Sequence, residues 1–193
     1  HDIDCEVINH DKSEHKEKIA AESNQETFGN LSSLLKCFEV AKKDQSDLIY
    51  FVEDDYLHHE HSLVDMLNTY ERVSSQHKDE IIVCPSDYPF NYMNNEKTNI
   101  LIGSQQHWRT ITKMLCTFMI SKKMFQKHID NFEKTCEKRH EPFEKYLNKI
   151  LESEIGISPI KSLAIHMTNV NSSYGLSPFI DIKKLWEENK TDQ

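Results

Sequence analysis

The sequence predicts a single α/β domain, spanning 1–193, with a mostly parallel central sheet flanked by helices. Three observations support this expectation. Short apolar runs of strand type recur at 48–52, 80–85 and 114–120, and they lack the strict alternation of a half-exposed strand. Runs of that kind read as strands buried on both faces, the usual state of parallel sheets covered by helices. Stretches with helical spacing alternate with them, as in Leu31, Leu34, Leu35, Phe38 and Ala41. Finally, the chain has only four glycines and five prolines, and it contains neither a repeat nor a linker-like stretch, so one core is expected.

In order, 4–9 reads as a short strand leading into a polar loop, 10–13. Residues 14–23 have helical character but few apolar anchors. A turn is expected at 28–30, with Asn30 as N-cap of a helix that ends near Lys42 and Lys43, where cations suit the helix dipole. That helix feeds strand 48–52. Strand, helix and strand in this order predict a crossover unit with a parallel pair. The stretch 58–61, His-His-Glu-His, is expected as an exposed helix start, because neighbouring helical residues point about 100° apart and cannot converge on one ion. Leu63, Met66, Leu67, Tyr70 and Val73 mark the next helix.

Further strands are expected at 80–85, 99–103, 114–120 and 160–165, the last ending in His166. A loop runs over 86–98 and another over 104–110. Ser121 is expected to cap a helix, Pro142 to open one, and 181–188 to form the last. Trp108-Arg109 has two readings, a packed aromatic beside a surface arginine or a stacking platform beside an anion clamp.

Glu53-Asp54-Asp55 stands out because three carboxylates end an apolar strand at the sheet edge where α/β proteins bind ligands. Their repulsion is offset most simply by a hard divalent cation; the alternative is a solvated acidic turn. The net charge of −9 argues against a nucleic-acid binder, since there is no basic excess to displace counterions. The five cysteines form no CxxC pair and read as free thiols in a reducing, cytoplasmic setting. No apolar run reaches transmembrane length.

The run Gly29-Asn30-Leu31-Ser32-Ser33, its helix, the acid-tipped strand, the Trp-Arg loop, the Thr117-Phe118 strand, the Glu141 helix head and the late His166 together resemble GT-A-fold glycosyltransferases. The likeness is to the inverting family-2-like group with its DxD motif, and most to small chlorella-virus-type glycosyltransferase domains. It implies a Mn2+ or Mg2+ ion held by Asp55 with His166, and a UDP- or GDP-sugar donor. Glu53 and Asp54, with Asn30, Ser104, Trp108 and Arg109, would face the donor or a glycan or other hydroxyl acceptor. It also implies Glu141 as catalytic base, with Glu144 one turn on as the fallback. Asp54 is the acid expected to turn inward. Such proteins open with a nucleotide-binding strand, which is expected to lie outside this sequence. Two other readings stay open: a non-catalytic nucleotide- or sugar-binding domain, and a metal-dependent nucleotidyltransferase or phosphohydrolase.

Overall fold

Strands in this protein are sandwiched between two apolar layers. The computed structural model describes residues 5–19, 22, 24–93, 95–171, 176 and 180–190. A six-stranded sheet has the spatial order β1-β6-β3-β7-β5-β4. Its strands are β1 (Leu48–Phe51), β3 (Ile81–Val83), β4 (Ile100–Ile102), β5 (His107–Ile111), β6 (Phe118–Ser121) and β7 (Ile155–Pro159). Helices α1 (Gln25–Lys43), α3 (Lys122–Lys127), α4 (Ile129–Thr135) and α5 (Lys145–Ile150) cover one face. There Phe38, Phe51, Phe118, Phe125 and Phe132 share a core with Ile82 and Ile120. Helix α2 (Ser62–His77) covers the other face, where Met66 and Val73 pack on Ile81, Val83 and Met119. Alternate residues of one strand thus enter different cores, so the strands read as continuous apolar runs.

The sheet is mixed, which corrects the expectation of a mostly parallel one. Among the described residues only β3 and β7 pair in parallel; β1–β6, β3–β6, β4–β5 and β5–β7 are antiparallel. Burial on both faces produces the apolar runs whichever way the neighbouring strand runs, so the pattern does not encode direction. The crossover expected to pair the N-terminal strand with β1 is absent among the described residues, and 5–10 forms no ladder.

Helix α1 starts earlier than expected. Asn24, not Asn30, is the N-cap, and its side chain accepts the Thr27 N–H at 3.0 Å. The expected turn at 28–30 lies inside the helix, where Gly29 is buried. A methyl group there would meet only the Lys12 side chain, with Nζ at 2.8 Å, the movable end of an exposed residue, so packing does not demand the glycine. On α2, Met66 and Val73 are buried as expected, but Leu63 and Leu67 are exposed; Asp65 and Thr69 complete the inner face instead. Ser121 caps α3 as expected, and the last helix, α6 (Ile182–Glu188), is capped by Asp181. Pro142 precedes α5 by three residues and does not open it.

Two short strands outside the main sheet position the site. β2 (Tyr56–His58) pairs antiparallel with β8 (Ala164–His166), with Tyr56 opposite His166. The 58–61 stretch therefore begins in a strand, and His58 Nε2 lies 2.6 Å from the Tyr50 hydroxyl. The cysteines are all free, three buried and two exposed. No described helix is long and apolar enough to cross a membrane. Much of the polar stretch 169–178 lies outside the described residues.

Candidate metal centre

Two pairings bring the acids to their partners. Phe51 lies opposite Phe118 in the β1–β6 ladder, which sets Glu53 beside Thr117. The Thr117 hydroxyl accepts the Glu53 N–H at 3.0 Å and faces its carboxylate at 3.4 Å. The turn after Glu53 then delivers Asp55 to the start of β2, where the β2–β8 pairing brings in His166. His166 Nε2 is 2.8 Å from Asp55 Oδ2. Ligand atoms of Glu53, Asp55 and His166 all lie within 4.8 Å of one another. Asp54 is exposed, so the acid that turns inward is Glu53 and not Asp54. Glu53, held beside Thr117, takes the inner position.

The electrostatics of the site are those of crowded, partly desolvated carboxylates. Burial, then the charges of Asp55 and Glu144, raise the Glu53 carboxyl to about 7, against a weaker opposing bond from Thr117. Burial also raises Glu144, while its own backbone N–H and His166 pull the other way. Glu144 is therefore coupled to both Glu53 and His166. Glu141 is exposed and acts on Glu144 by raising its carboxyl. Of the two candidate bases, Glu144 is the one whose charge is felt at Glu53 and which feels His166.

The remaining expected residues lie elsewhere. Trp108 is in strand β5, not a loop, and is wholly buried. It packs so closely on Gly103 that a methyl group there would come within 2.2 Å of its ring, and it presents no face for stacking a ligand. Arg109 is also buried, bonded to Asp87 and lying over the Tyr92 ring at 4.2 Å from the centroid. Its charge is therefore committed to an internal ion pair, not held free as an anion clamp. Asn30 is exposed along α1. Ser104 sits in the β4–β5 turn, its N–H held by Thr69, across the width of the sheet from β1, about 24 Å at ~4.8 Å per strand.

Two residues of the site were not singled out by sequence. Thr117 orients Glu53, and Tyr56 stacks on His166 with ring centroids 4.8 Å apart and planes 11° from parallel. Tyr56 directly follows the acids, but adjacency gives no sign that its ring meets a histidine from the far end of the chain.

The donor set fits a borderline-hard divalent ion. Two carboxylates and one imidazole suit Mn2+ better than Mg2+, and the raised Glu53 carboxyl marks charge that a cation would offset. No protein-family model matches the chain, and no curated protein matches it.

Proposed function

We propose that this chain is a metal-dependent glycosyltransferase of GT-A type. It would move a sugar from a nucleoside-diphosphate donor to an acceptor hydroxyl, with inversion. The observation that carries the reading is the convergence of Glu53, Asp55 and His166, with Glu144 electrostatically coupled beside them. A structural metal site needs no such adjacent carboxylate.

Asp55 and His166 would hold the ion, with Glu53, fixed by Thr117, as the third candidate ligand. A bound Mn2+ or Mg2+ supplies a Lewis acid for the diphosphate leaving group. Glu144 accepts the acceptor hydroxyl's proton as that oxygen attacks the anomeric carbon. Its raised carboxyl brings it closer to the range in which a general base works at neutral pH. Glu141 modulates that carboxyl from the exposed side.

A thermal-shift screen of nucleotide sugars, with and without Mn2+, tests the reading, followed by assay of nucleoside diphosphate release. The expected result is a donor that stabilises the chain only when Mn2+ is present and is cleaved on addition of an acceptor. Donor binding that ignores the metal would remove the basis of the assignment. Donor binding without turnover in any acceptor screen would favour a pure binding domain.

A further inference from the structure

His166 has an unusual support for a candidate metal ligand. Metal-binding imidazoles nearly always donate their second ring N–H to a carboxylate, carbonyl or water, which fixes the ring. Here Nε2 faces Asp55, and the buried Nδ1 has no hydrogen-bond partner among the described residues. Rotation about the outer side-chain bond of histidine is soft, so some other contact must set the plane of the ring. The contact present is the parallel stack on Tyr56.

Tyr56 is itself held at its far end. Its hydroxyl lies 2.9 Å from the Tyr88 hydroxyl, and Tyr88 stacks on Phe90 at 5.1 Å and 9°. Tyr56 and Tyr88 are buried. Phe90, Tyr88, Tyr56 and His166 thus form a column from the loop after β3 to the candidate centre. The cross-strand pairing of Tyr56 with His166 fixes the backbone of both rings.

We propose that Tyr56 is a positioning residue for His166: its ring face does what no polar partner of Nδ1 does among the described residues, and aims Nε2 at the site shared with Asp55. This rests on the metal reading given under Proposed function. The consequence is selectivity. Imidazole favours Mn2+ over Mg2+, whereas carboxylates alone serve both. Loss of the stack therefore lowers Mn2+ affinity more than Mg2+ affinity, while a general loosening of the fold lowers both alike.

Calorimetric titration of the full chain with Mn2+ and with Mg2+ tests this, comparing wild type with His166→Ala, Tyr56→Phe and Tyr56→Leu. Tyr56→Phe keeps the stack and is expected to hold the Mn2+/Mg2+ affinity ratio within about 2-fold. Tyr56→Leu is expected to weaken Mn2+ by about 10-fold, the scale of a lost outer partner, and bring the ratio down to that of His166→Ala. Should Tyr56→Leu fail to fold, Tyr56→Ile, which favours strands, answers the same question. A folded Tyr56→Leu or Tyr56→Ile with the wild-type ratio, beside a His166→Ala that has lost it, overturns the inference alone. A wild type that binds neither ion overturns the metal reading and this inference with it.

Discussion

His166 Nε2 meets Asp55 Oδ2 at 2.8 Å because Tyr56, the residue after Asp55, is paired with His166 across the β2–β8 ribbon. The backbone repeats the link, since the Met167 N–H donates to the Asp55 carbonyl at 2.9 Å. The candidate centre is thus built into strand pairing and does not depend on the long side chains of a mobile turn. A carboxylate and an imidazole that are already preorganised lose little freedom when they take an ion.

Asp55→Ala is therefore expected to remove most metal affinity, and His166→Ala to lower it by at least the roughly 10- to 100-fold that loss of an outer partner costs. Bound metal stabilises by mass action, about 2.7 kcal/mol at a hundredfold excess over Kd, so the wild-type Tm rises on adding Mn2+. The rise should vanish in Asp55→Ala. An unchanged Mn2+-dependent rise in that variant would move the site elsewhere.

Glu144 and Glu141 separate cleanly by substitution. Glu144→Gln is expected to cut turnover by about 10²- to 10⁴-fold, the usual contribution of a general base, with Mn2+ and donor affinity kept. Glu141→Gln, at an exposed position, should stay within a few-fold of wild type. The reverse order in a single-turnover assay would return the base to Glu141.

Glu53 predicts a pH dependence in the metal-free chain. An unfolded glutamate titrates near 4.5, whereas burial and the neighbouring acids hold folded Glu53 near 7. Between those values the folded state keeps a proton that the unfolded state has lost. Stability from this group is complete below about pH 4.5 and is lost as pH rises through about 7. The loss is about 2 kcal/mol after allowance for solvent screening. In chelator, Glu53→Gln should match wild type at pH 5 and melt a few degrees higher at pH 8. A variant that is less stable than wild type at both pH values would show that the carboxylate is not under strain.

Glu39, on α1, runs the other way. Burial tends to raise its carboxyl, but bonds from Lys18 and His15 take it down to about 2. Its stabilisation is present above about pH 4.5 and is lost as pH falls toward 2. Acid titration of Glu39→Gln should therefore show a shallower loss of stability below pH 4.5 than wild type. A superimposable acid limb would mean that the Lys18 and His15 contacts contribute nothing net.

The acid-tipped strand was legible because a charge cluster directly after an apolar run is a local signal. So was the cap at Ser121, where one side chain serves one helix end. Strands β2, β5 and β7 were not. They run three to five residues, and His107, Arg109, Thr110, Gly156 and Pro159 break the apolar pattern with groups whose pairing is decided by the sheet. Missing β5 put Trp108 and Arg109 in a loop, where an aromatic and a cation read as binding groups. Glu141 and Glu144 lie three residues apart in sequence, and only packing decides which carboxylate feels His166. Strand direction was beyond reach for the reason already seen in Ile82, Met119 and Phe118, whose two-sided burial is the same in either sense.

Arg109 supplies the sharpest test of structural against binding roles. Its guanidinium is bonded to the buried Asp87 carboxylate, which also accepts the Tyr92 hydroxyl at 2.5 Å, while the Asp87 N–H donates to Ser162 Oγ at 2.8 Å. Removing one member of a buried pair typically costs about 3–5 kcal/mol. Arg109→Ala should lower the urea midpoint accordingly. Arg109→Met with Asp87→Asn should recover much of the loss, since removing both charges also removes the desolvation cost. Because the pair lies outside the Glu53, Asp55 and His166 cluster, the double variant should bind Mn2+ as wild type does. A double variant that folds with wild-type stability but has lost donor affinity would instead make Arg109 the anion clamp that its place beside Trp108 first suggested.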